Sequence, residues 1–85
     1  MQVTQGGNFA FHALMQMALA CPGQATPIEG LAHSLGASPT YMAKLLQRLT
    51  RAGLVTSQRG RGGGYSLARP GRQITLWEIV AALQG

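Results

Sequence analysis

Two short apolar stripes at helical spacing, with only Gly36, Ala37 and Ser38 between them, constrain this 85-residue chain more than any other feature. Ile28, Leu31, Ala32 and Leu35 recur at i, i+3, i+4 and i+7, and so do Met42, Leu45, Leu46 and Leu49. That spacing places each set on one face of a helix. Gly36 is suited to end the first helix, and Ser38-Pro39 supplies a cap and a first-turn proline for the second. Two amphipathic helices joined so tightly form a helix-turn-helix. Thr26-Pro27-Ile28-Glu29 predicts a capping box ahead of the first of them, and Gly53 closes the second.

The segments on either side complete the outline. An earlier helix, starting at Thr4 or Gly7 and reaching Ala20, is apolar almost all round, with Phe9, Phe11, Leu14, Met15, Met17 and Leu19. A helix of that kind expects cover on more than one side. Two readings are open for its second face, a central core helix or a subunit interface. Pro22-Gly23 ends it. Downstream, residues 54–57 and 65–68 read as two strands of a hairpin, joined by a loop 58–64 rich in glycine and carrying Arg59 and Arg61. Arg69-Pro70-Gly71-Arg72 is a turn. A second capping box, Thr75-Leu76-Trp77-Glu78, opens a last helix expected to bury Leu76, Ile79, Val80 and Leu83, with Trp77 in the core. The predicted order is helix, helix, helix, strand, strand, helix. The fold class is therefore mostly α with a small β-hairpin, a winged helix-turn-helix, in one domain over residues 1–85.

Charge distribution narrows the function. All seven Lys and Arg residues lie between Lys44 and Arg72, against only two acids, for a formal net charge of +5. The polar flank of the helix after Ser38 reads Thr40, Lys44, Gln47 and Arg51, with Arg48 beside it, and contains no acid. Clustered cations of this kind mark a polyanion binder. The two acids, Glu29 and Glu78, both fall at the third position of a predicted helix start, a structural role that sets neither against the basic surface. With no Asp, and with His12 and His33 as the only histidines, the chain lacks the positioned pair that acid–base or nucleophilic catalysis requires, so it is expected not to be an enzyme. The glycine loop lacks the Gly-Lys-Ser/Thr ending and the strand–loop–helix setting of a nucleotide site. Cys21 is the sole cysteine and can form neither an internal disulfide nor a metal cage. The apolar stretch 9–21 has no preceding cation and is interrupted by His12 and Gln16. It fits neither a signal sequence nor a membrane span, and a cytoplasmic location is expected.

The run from Ala52 and Gly53 through Arg59, Gly60, Gly62, Gly63, Gly64 and Tyr65 to Pro70 strongly resembles the wing of the Rrf2 (Rrf-two) family of bacterial transcriptional regulators. Ser38-Pro39-Thr40-Tyr41-Met42, Ile74-Thr75-Leu76 with Ile79-Val80, and Val3-Thr4 are similar to that family as well, so the resemblance covers essentially the whole chain. It implies a homodimeric repressor or activator. The helix after Ser38 would enter the major groove, Arg59 would enter the minor groove, and Ser38, Thr40, Tyr41 and Lys44 would touch base edges or phosphates. Arg48, Arg51, Arg61 and Arg69 are expected to add phosphate contacts, and Gln47 a groove contact.

Three departures from the family pattern stand out. Ala43 occupies a position where Glu or Gln often reads a base, and alanine offers at most a thymine methyl contact. Arg61 adds a charge where proline or another residue is usual. The family's cluster-binding cysteines and long dimerisation helix come after the position of Gly85. Because a cluster needs several thiolates, these residues are expected to bind no iron–sulfur cluster and to dimerise through the first helix or another surface, or weakly. Double-stranded DNA is thus the expected partner. A protein-interaction module pairing with a full-length relative is the first competing reading. RNA binding is the second, disfavoured by the scarcity of aromatics for base stacking.

Overall fold

The stripes at 28–35 and 42–49 form helices facing one another across a shared core, as their spacing predicts. In the computed structural model, which describes residues 5–20, 24–60 and 63–84, the elements are α1 (Gln5–Leu19), α2 (Ile28–Leu35), α3 (Pro39–Arg51), β1 (Val55–Gln58), β2 (Gly64–Leu67), a 3-10 turn at Gly71–Gln73, and α4 (Leu76–Gln84). The helix order and hairpin match expectation, with each strand displaced by one residue. Cys21 and Arg61, both singled out from the sequence, lie outside the described residues.

Gly36 adopts φ +70°, and the backbone N–H groups of Gly36 and Ala37 donate to the carbonyls of His33 and Ala32. This left-handed residue closes α2 and turns the chain into α3 within two residues. Ser38 then caps α3: its hydroxyl accepts from the Tyr41 backbone N–H at 3.1 Å, with Pro39 in the first turn. The core comprises Ala10, Ala13, Leu14 and Met17 of α1, Leu31 and Ala32 of α2, Met42, Leu45, Leu46 and Leu49 of α3, Leu54 and Val55 at the hairpin, and Ile79 of α4. Helix α1 therefore uses one face for the core. Its other face leaves Phe11, Met15 and Leu19 in solvent, Leu19 at 85%.

Two expectations about helix starts and burial need correction. Thr26 is not the cap of α2. Its backbone is taken up by an antiparallel bridge to Tyr65, through two hydrogen bonds of 2.8 Å. The residue preceding α2 is Pro27, which offers no side-chain acceptor, so the box with Glu29 does not form. In α4, Leu76 is 40% and Trp77 68% exposed, with Ile79 the buried anchor. Val80 and Leu83 are half-buried. The core meets α4 at Ile79 and, further along, at Ala82 and Leu83, and the first turn, with Leu76 and Trp77, stands outside it.

The hairpin pairs Val55 with Leu67, Thr56 with Ser66, Ser57 with Tyr65, and Gln58 with Gly64. The Thr56 and Ser66 hydroxyls meet at 3.2 Å across it. The isolated bridge gives β2 a second neighbour, so the segment between α1 and α2 acts as a one-rung third strand.

Candidate nucleic-acid interface

Helix α3 presents two different surfaces because its sequence is divided by helical spacing. Met42, Leu45, Leu46 and Leu49 are buried. Thr40, Lys44, Gln47 and Arg51 are exposed on the opposite side, leaving hydrogen-bonding groups and cations free for a ligand. Ala43, between these surfaces, is half-buried. Tyr41 is partly exposed on a flank, its ring edge-on to Phe9 of α1 with centroids 5.6 Å apart. That contact fixes the ring at the entrance to the helix, beside the Ser38 cap.

Arg48 and Arg69, grouped with the outward-facing cations from sequence, are engaged within the protein. Arg48 Nη1 donates to the Leu83 carbonyl at 2.7 Å, where it satisfies a carbonyl in the last turn of α4. Arg69 pairs with the Glu78 carboxylate and also donates to the Gln73 carbonyl at 3.4 Å. Helical spacing separates the two flanks of α3 but does not show that α4 lies against one of them. No signal in the sequence could have paired Arg69 with Glu78, nine residues apart across a turn.

Glu78 has two tasks. It accepts from the Thr75 backbone N–H at 3.0 Å, while the Thr75 hydroxyl accepts from the Glu78 backbone N–H at 3.1 Å. This is the predicted reciprocal capping box. The Thr75 backbone hydrogen bond, and then the Arg69 guanidinium, hold its carboxyl below the usual carboxylate range. Glu78 thus does face a cation, contrary to the expectation that neither acid opposes the basic residues. Glu29, freed from capping, lines a shallow groove with Arg59, Gly60 and Gly64 at the root of the loop. Both acids are therefore placed against arginine-bearing segments.

Arg59 follows directly on β1 and is exposed. With the exposed side of α3, it completes the site that the described residues assemble: a basic helix flank and a hairpin whose loop carries a cation. His12 and His33 are both exposed and on different helices. Among the described residues no three of His, Cys, Asp and Glu come together. None of the described helices is long and apolar enough to cross a membrane.

A tight helix pair, its second helix bare on one side, followed by a two-stranded hairpin and a closing helix, is a winged helix-turn-helix. The chain belongs to the Rrf2 family, described as iron-dependent transcriptional regulators, whose pattern matches residues 3–85. It is similar to an HTH-type transcriptional regulator of Mycobacterium tuberculosis, 34% identical over 85 residues, covering 100% of this chain and 53% of the relative. It is likewise similar to one of Neisseria meningitidis, 37% identical over 84 residues, covering 99% and 57%. Among solved structures, IscR of T. potens superposes with a TM-score of 0.88 at 33% identity, over 100% of this chain and 62% of that one. CymR, the global cysteine regulator of B. subtilis, superposes at 0.91 with 28% identity, over 100% and 66%. The chain spans about half the length of the curated relatives it matches. The description of the family implies iron, but the donors described here are dispersed and do not fit a metal or cluster site.

Proposed function

We propose that this chain is the DNA-binding part of a transcriptional regulator, with α3 in the major groove and Arg59 in the adjacent minor groove or on its phosphates. The observation that carries this reading is the acid-free flank of α3, where Thr40, Lys44, Gln47 and Arg51 are exposed beside the hairpin bearing Arg59. A helix of this kind fits the major groove, and the hydrogen-bonding side chains on it read base edges. Ser38 and Tyr41, at the start of the helix, contact phosphates. Lys44, Arg51 and Arg59 neutralise them, with Arg61 a fourth candidate. Arg48 and Arg69 brace α4 and the turn before it, and act on DNA only indirectly.

Counterion release from three or four phosphates gives a slope of log K against log salt of roughly −3 to −4 per monomer. Arg59→Ala is expected to weaken binding by about 1–3 kcal/mol and to flatten that slope by about one unit. A titration of duplex DNA at several salt concentrations measures both, and unchanged affinity in the variant would remove Arg59 from the interface.

The exposed Phe11, Met15 and Leu19 of α1 favour self-association as the means of presenting two such surfaces to a two-fold DNA site. Light scattering with and without Met15→Glu tests that pairing: a homodimer shifts toward monomer in the variant. A wild-type chain that is monomeric at all concentrations while still binding DNA excludes it.

A further inference from the structure

Three backbones meet at the root of the wing. The last rung between β1 and β2 joins Gln58 to Gly64. On the other edge of β2, the strap 24–27 leading into α2 adds one rung of its own: the Thr26 N–H donates to the Tyr65 carbonyl and the Tyr65 N–H donates to the Thr26 carbonyl, each at 2.8 Å. Gly64, at φ +149°, lies where the strap crosses. A methyl group there would land on the Thr26 carbonyl oxygen, 2.5 Å from its carbonyl carbon and 2.8 Å from the Pro27 nitrogen. These are backbone atoms, and Pro27 is the residue immediately before α2, so they cannot rotate aside as the end of a long side chain would. At Gly60, nearer the tip, an added methyl meets nothing within 4 Å.

A two-stranded hairpin is marginally stable by itself. Here its strands are four residues each; Tyr65 and Leu67 pack on the core, and the strap adds a backbone tie between β2 and the start of α2. A displacement at Gly64 passes across a single rung to Gln58, and Arg59 is the next residue. The root of the wing therefore controls the placement of its arginine, although Gly64 itself offers no side chain to a ligand.

We propose that Gly64 is a positioning residue for DNA binding: by having no side chain it lets the strap clamp β2 against α2, and the clamp sets where Arg59 stands relative to α3. This rests on the reading that Arg59 touches DNA. The test is a double-mutant cycle on a duplex selected from a random pool by the wild-type chain, with folding checked by circular dichroism and melting. Folded Gly64→Ala binds about tenfold more weakly and shows the same loss of salt slope as Arg59→Ala, while adding Arg59→Ala to it costs little more, because the contact is already lost. Thr26→Pro removes the Thr26 N–H without adding an atom at Gly64 and has the same effect, which covers the case of Gly64→Ala failing to fold. Thr26→Ala keeps both backbone bonds and binds like wild type. A folded Gly64→Ala with wild-type affinity, or losses that add in full with Arg59→Ala, overturns the clamp while leaving the DNA reading intact. If the wild-type chain selects no duplex at all, the DNA reading falls and takes the clamp with it.

Discussion

The chain contains the pattern Thr-x-x-Glu twice before a helix, at Thr26 to Glu29 and at Thr75 to Glu78, and only the second forms a capping box. At Thr75 the chain arrives from a 3-10 turn with its backbone free, so hydroxyl and carboxylate can satisfy each other's N–H groups. At Thr26 the backbone is already committed to Tyr65, 39 positions further along, and the residue that precedes α2 is Pro27, whose side chain cannot cap it. One local motif thus has two outcomes. A cap is worth about 1 kcal/mol, and a pair of backbone hydrogen bonds completing a sheet edge outweighs it. The acid released from capping at Glu29 is left beside the wing.

Breaking the formed box should have the largest effect. Thr75→Ala is expected to cost about 1 kcal/mol and to lower the melting temperature by about 4–8 °C in a domain of this size. Acid should dissolve the same box more gradually. The carboxyl of Glu78 is held low in the folded state, so its contribution to stability is complete above the ordinary carboxylate range and fades as pH falls through the lowered value. Glu78→Gln should lose stability at neutral pH and show a flatter acid limb in a pH series of thermal melts. At the unformed box the acid can be removed without structural loss. Glu29→Gln is expected to leave the melting temperature unchanged and, by lifting a negative charge from the groove shared with Arg59, to tighten duplex binding about twofold at low salt. The smallest effect belongs to Thr26→Ala, within about 0.5 kcal/mol of wild type. A loss equal to that of Thr75→Ala would mean that the first box forms after all.

Much of the fold was legible because the helices carry their own instructions. The stripes of α2 and α3, Gly36 between them, the Ser38-Pro39 start and the glycine-rich loop each specify a local geometry, and the element order follows. What stayed hidden depends on residues far apart in sequence. Thr26 pairs with Tyr65, Arg48 reaches Leu83, and Arg69 reaches Glu78. No periodicity encodes such meetings. Burial in α4 departs from expectation for a related reason: Leu76 and Trp77 are apolar, but the core meets this helix from Ile79 onward and leaves its first turn outside. In the candidate site, the exposed placement of Thr40, Lys44, Gln47, Arg51 and Arg59 follows from spacing and loop position alone. Sorting those cations from Arg48 and Arg69 required knowing where α4 lies.

Helix α1 packs against α4, which bears on how the polypeptide emerges during synthesis. Of the elements that α1 packs on, α4 is made after α2, α3 and the hairpin, so this part of its cover arrives late. The helix pair can form early from neighbouring residues, whereas packing α4 against α1 is a long-range step of the kind that slows folding and leaves apolar surface open meanwhile. A nascent chain halted before α4 should therefore be a better client for chaperones and proteases than the finished domain.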